Sequence, residues 1–129
     1  MNERRRGYQG ATETLRALGA VKLRMSVFVR CELEAGARRS RNPEQELERV
    51  AQLAEFMEVV FPEADFASHY GEIEHALRTR GEMIPTMDLL IGTHCVCSGE
   101  PILTSDGHYE RIPGLSAIRF DHTQPDSAD

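Results

Sequence analysis

Ile84–Tyr109, IPTMDLLIGTHCVCSGEPILTSDGHY, is the stretch whose reading decides the fold. Thr86 has a hydroxyl suited to cap a helix N-terminus. Leu89, Leu90, Ile91, Cys95 and Val96 give the following helix a wide apolar face. Gly99 stands where a left-handed cap ends a helix, and Pro101 prevents its resumption. Pro101–Thr104 is short and apolar with a polar end, as expected of a strand buried in a parallel sheet. Two carboxylates frame this unit. Asp88 falls in the first helical turn, and Asp106 lies just past the strand's C-terminal end, where sites assemble in open parallel sheets. Each also has an ordinary reading, as a dipole-complementing aspartate and as the Asp of an Asp-Gly turn.

Outward from this unit, Gly10–Leu18 reads as a short helix and the alternation of Val21–Val27 as a strand. Val29–Ala37 is helical by composition and carries Glu32 early, soon after the strand. Asn42-Pro43-Glu44-Gln45 combines a cap, a proline at the first helical position and a glutamine able to reach back. Leu47, Val50, Leu53, Ala54 and Met57 form the stripe of that helix, and Met57–Phe61 leaves room for a short strand. A helix opened by Glu63 or Asp65 carries the core stripe Phe66, Tyr70, Ile73 and Leu77 and stops at Gly81. Gly107–Leu115 reads as a loop or short turn, and Ala117–Phe120 as an edge strand. Strands alternating with helices give an α/β chain with a small, mostly parallel sheet.

A chain of 129 residues with 40% hydrophobic and 28% charged content is one ordinary globular domain. A net charge of −6 argues against a general nucleic-acid coat protein but suits carboxylates that converge on a cation. No apolar run has the length of a membrane span, and MNERRRGYQG lacks the apolar stretch of a signal peptide, so the expected location is the cytoplasm. Cys31, Cys95 and Cys97 have no recognised zinc spacing, even with His94 and His108, and are expected to be reduced, mostly buried apolar residues.

Three stretches in order, CELEAGA (Cys31–Ala37), IPTMDLLIGTHCVCSG (Ile84–Gly99) and ILTSDGHYERIPGL (Ile102–Leu115), resemble the PIN domain, particularly the VapC-type toxins of type II toxin–antitoxin pairs. The resemblance runs from about Gly10 to Phe120. It implies a three-layer α/β/α sandwich and a metal-dependent endoribonuclease using Mg2+ or Mn2+, with RNA as substrate, a cognate antitoxin as partner and a homodimer as assembly. It further implies Glu32, Asp88 and Asp106 as catalytic residues and metal ligands, with Thr104 orienting a carboxylate or a water. Hard divalent ions take oxygen ligands plus water, which is why such a site needs carboxylates. In the family the central strand ends in an aspartate. Met1–Ala20 offers only Glu3 and Glu13, so the domain, spanning 1–120, is expected to be N-terminally incomplete, with a disordered polar tail at 121–129. A truncated, inactive PIN-like module for binding or dimerisation is the alternative to the toxin.

Overall fold

A computed structural model describes residues 23–119. The expectations for Gly10–Leu18, for the strand before Leu23, for an acid within Met1–Ala20 and for the tail at 121–129 lie outside the described residues. Strand β1 (Arg24–Ser26) runs directly into helix α1 (Val27–Arg39). Helix α2 (Pro43–Phe56) and strand β2 (Glu58–Val60) follow. Helices α3 (Phe66–Arg80) and α4 (Thr86–Ser98) precede strand β3 (Ile102–Thr104), a 3-10 turn (Gly107–Arg111) and strand β4 (Ala117–Arg119). Pairs of helices separate β1, β2 and β3, and among the described residues the strands form two two-stranded parallel sheets. β1 pairs with β2 in the register Met25↔Val59, and β3 pairs with β4 in the register Leu103↔Ile118.

The helix boundaries follow from local chemistry. At α2, Asn42 accepts the Gln45 backbone N–H at 3.4 Å, and its amide donates to Gln45 Oε1 at 3.1 Å. Pro43 opens this helix, where a missing N–H costs nothing. Gly81 and Gly99 close α3 and α4 with φ of 67° each, a left-handed conformation that glycine adopts without a Cβ penalty. Three boundaries differ from the sequence expectation. Val27 is helical, because Ser26 ends β1 and caps α1 by accepting the Phe28 N–H at 3.2 Å. Thr86 is the first residue of α4 and Pro85 occupies the cap position, with no side-chain cap bond. Phe66 rather than Glu63 or Asp65 is the first residue of α3; Asp65 occupies its cap position.

The core gathers Ile73 and Leu77 of α3, Leu89 and Ile91 of α4, Ile84, Ile102, Tyr109 and Ile112. Leu77 and Leu89 are fully buried, and each such side chain contributes about 1.5–3 kcal/mol of transfer free energy. Helix α4 is the central helix: Leu89 and the run Ile91–His94 are buried on several of its sides. Gly92 makes this possible on one side. A Cβ there would collide with Ile112 and press on Tyr109 and Leu115 at 3.4 Å, so the missing side chain lets the 3-10 turn lie against the helix. Phe28 of α1 stacks at a tilt on Phe66 of α3, with centroids 5.5 Å apart, tying the first helix to the third.

Candidate active site

The two parallel pairs each lead at one strand's C-terminal end to a candidate residue. β1 leads into α1 and so to Glu32. β3 ends at Thr104 and leads into the turn that holds Asp106. Between these strands lies a cleft of about 400 Å3 whose lining includes Glu32, Thr104 and Tyr109 but not Asp88 or Asp106. Asp88 sits in the first turn of α4, where the helix dipole favours a negative charge by about 0.3–1 kcal/mol.

The turn after β3 is built by two short hydrogen bonds. Thr104 Oγ1 accepts the Asp106 N–H at 3.0 Å. Asp106 Oδ1 accepts the His108 N–H at 2.8 Å, capping the 3-10 turn. This folds His108 and Tyr109 back over the carboxylates. The Tyr109 hydroxyl donates to Asp88 Oδ1 at 3.3 Å, linking the turn to α4. Ligand atoms of Asp88, Asp106 and His108 all lie within 4.8 Å of one another.

Electrostatics record the crowding. Burial, and then the neighbouring Asp88 charge, push the Glu32 carboxyl above its ordinary value. Tyr109, only 6% exposed, is pushed well above the usual phenol range. Burial is the main cause, followed by Asp88, Glu32 and Asp106. One phenol therefore senses all three carboxylates that the sequence singled out. Asp88 and Asp106 come together from a helix and a turn, Glu32 stays outside that group but feels the Asp88 charge, and Thr104 is bonded to the backbone of Asp106. Two oxygens and an imidazole nitrogen at this spacing fit a divalent cation, given small side-chain adjustments.

Sequence reasoning left out Tyr109 and gave His108 no role. The available signal was the Asp-Gly that precedes them, since Asp106 as a cap sets the direction of the next turn. It also missed a second buried unit. Ser26 Oγ lies 2.7 Å from Nδ1 of His94, and the Phe61 backbone beside the ring favours its charged form. The Ser26 oxygen meanwhile caps α1. Burial pushes the His94 pKa down. The same residue thus ties α4, which bears Asp88, to the start of α1, which bears Glu32.

The cysteines stay free, and Cys95 and Cys97 are partly buried. Burial pushes the Cys95 thiol up to about 11. Cys31 departs from expectation, being exposed on the outer face of α1.

Residues 3–115 match the PIN domain family. The chain belongs to the PIN-domain family. Among curated relatives, this PIN protein is 28% identical over 98 residues to Ribonuclease VapC2 of Rickettsia felis, covering 75% of this chain and 73% of that one. It is 30% identical over 95 residues to Ribonuclease VapC1 of Haemophilus influenzae strain R2866, covering 73% and 71% respectively. The PIN fold superposes on the structure of VapBC2 from Rickettsia felis bound to a DNA fragment from their promoter with a TM-score of 0.78 and 26% identity, over 89% of this chain and 86% of that one. VapBC-1 from nontypeable Haemophilus influenzae gives a TM-score of 0.76 and 27% identity, over 82% of each chain. Among the described residues of the PIN domain, no helix is long and apolar enough to cross a membrane.

Proposed function

We propose that this chain is a VapC-type endoribonuclease, the toxin of a type II toxin–antitoxin pair, working with Mg2+ or Mn2+ in the cytoplasm. The cluster of Asp88 and Asp106 with His108, close enough to Glu32 for the Asp88 charge to act on it, carries this reading. Curated relatives named as ribonucleases and structural neighbours that are VapBC complexes support it. The working unit is a single PIN-like domain over 1–120, active as a homodimer and held inactive by a cognate antitoxin.

In this reading Asp88 and Asp106 hold the cation, and Glu32 holds or releases a proton at the attacking water. Its raised pKa suits such a group. The Tyr109 hydroxyl fixes one oxygen of Asp88 and so leaves the other for the ion. Thr104 fixes the backbone of Asp106. When bound, the divalent ion polarises a phosphoryl oxygen and lowers the pKa of a bound water.

Controlled expression in a bacterial host tests the proposal. Growth arrest relieved by co-expression of the adjacent antitoxin, and abolished by Asp88→Asn, is the expected result. A stable complex with the antitoxin but no growth arrest would leave an inactive PIN-like module for binding or dimerisation. Neither arrest nor complex would overturn the toxin reading.

A further inference from the structure

His108 is a residue that a purely carboxylate site has no use for, yet the turn delivers it to the cluster. Its Nε2 lies 3.4 Å from Asp106 Oδ1. Two donors bound in cis positions to one small divalent ion lie about 3 Å apart, given metal–ligand distances of about 2.0–2.2 Å. The observed pair is within a few tenths of an ångström of that spacing before any adjustment. The other nitrogen, Nδ1, is shut off from solvent and has no hydrogen-bond partner among the described residues. Nε2 is the nitrogen that faces the carboxylates, and with its lone pair on a cation the ring proton sits on Nδ1. The side chain is 44% exposed, so it can turn slightly without disturbing the core. Its backbone is held by the N–H bond to the same Asp106.

We propose that His108, through Nε2, is a third protein ligand of the cation shared by Asp88 and Asp106, and that it shifts the preference of the site from Mg2+ toward first-row transition ions. The inference rests on the metal-site reading above. An imidazole nitrogen is a poor ligand for Mg2+, which keeps water instead, but a good one for Mn2+ and better for Co2+, following the general order of divalent affinities. A site with oxygen ligands alone would show a shallower gradient. His108 thus sets which ion occupies the site rather than whether one does.

The test is calorimetric titration of tag-free full-length protein with MgCl2, MnCl2 and CoCl2, alongside His108→Ala, His108→Gln and Asp88→Asn. Circular dichroism confirms that each variant is folded. Wild type is expected to bind Co2+ and Mn2+ more tightly than Mg2+. Both His108 variants are expected to lose about tenfold in Co2+ affinity, less in Mn2+ affinity, and to stay within about twofold for Mg2+. Asp88→Asn removes binding of all three ions and so separates this site from exposed histidines elsewhere. Unchanged affinities in both His108 variants would overturn the proposal and leave His108 as an ion-pair partner of Asp106. An equal loss for all three ions would also overturn it, by showing a general structural effect. RNA cleavage is read separately. Cleavage without ion selectivity defeats only this inference, and selectivity without cleavage defeats only the ribonuclease reading.

Discussion

Replacing Asp106 by asparagine should make the metal-free protein more stable while depriving it of its response to metal. Asn keeps an Oδ1 to accept the His108 N–H and caps a turn as well as Asp does, so the change isolates the charge. Asp88 and Asp106 offer oxygens no more than 4.8 Å apart. Two unit negative charges at that distance repel by about 0.9 kcal/mol at the dielectric of water and by about 3.5 kcal/mol at an effective dielectric of 20. The Asp106 side chain is 42% exposed, which places the effect near the lower end, at about 1 kcal/mol. Arg119, on the same side of the turn, is paired with Glu110 at 3.3 Å and offers Asp106 only part of its charge. The assay is thermal unfolding at mildly alkaline pH and low salt, first with EDTA and then with excess MnCl2. With EDTA, Asp106→Asn is expected to melt about 4 °C higher, the shift that about 1 kcal/mol gives in a domain of this size. With manganese at about a hundred times its Kd, wild type gains about 2.7 kcal/mol and overtakes the variant. A variant that melts lower than wild type in EDTA would refute the repulsion. Equal stabilisation of both proteins by manganese would show that the ion binds elsewhere.

Other outcomes follow from the packing and the titrating groups. Gly92→Ala gains about 1 kcal/mol of helix propensity but overpacks Ile112 and Tyr109 at about 1–3 kcal/mol, for a net loss of about 1 kcal/mol in urea unfolding; a more stable variant would contradict the close approach. Tyr109→Phe removes a long hydrogen bond to Asp88 and is expected to cost about 0.5–1 kcal/mol, with greater loss pointing to a role beyond that bond. His94 has a depressed pKa in the fold, so its contribution is complete above the ordinary imidazole value of about 6.5 and is lost as pH falls below it. His94→Gln should flatten that part of the stability–pH curve, and an unchanged slope would remove His94 as its source. Glu32 acts in the opposite sense, because its raised pKa favours the protonated form. Its contribution is present at low pH and lost as pH rises through the folded pKa, so metal-free Glu32→Gln should gain stability relative to wild type at neutral pH. Titration with a thiol reagent should modify exposed Cys31 first and Cys95, whose pKa is pushed up to about 11, last.

Where one residue type has one local reason to be present, sequence reading located it. Gly81 and Gly99 end helices because their left-handed φ favours glycine, and Asn42-Pro43-Gln45 forms a start whose bonds are all within four residues. Ile102–Thr104 is a strand as its apolar run and flanking Pro101 imply. Motif order singles out Glu32, Asp88 and Asp106; Asp88 and Asp106 lie in one cluster, and Asp88 bears on the charge of Glu32. Long-range partnerships escaped. Nothing local distinguishes Ser26 as both a helix cap and the partner of His94, because that pairing exists only once α4 crosses the start of α1. Tyr109 looked like a loop residue because its burial depends on the absent side chain of Gly92, one helix away. The cap of α4 was misplaced by one residue because Thr86 has the right side chain, whereas the extended φ and ψ belong to Pro85. Residue type suggests mostly buried cysteines, but α1 turns Cys31 to solvent.

The most direct test is cleavage of a labelled RNA by purified chain freed of antitoxin, with Asp88→Asn purified in parallel to control for contaminating nucleases. Cleavage that needs Mg2+ or Mn2+, stops with EDTA and falls at least about a hundredfold in Asp88→Asn is the expected result. RNA left intact by folded wild type with either ion, or cut equally by Asp88→Asn, would contradict a metal-dependent ribonuclease centred on these carboxylates.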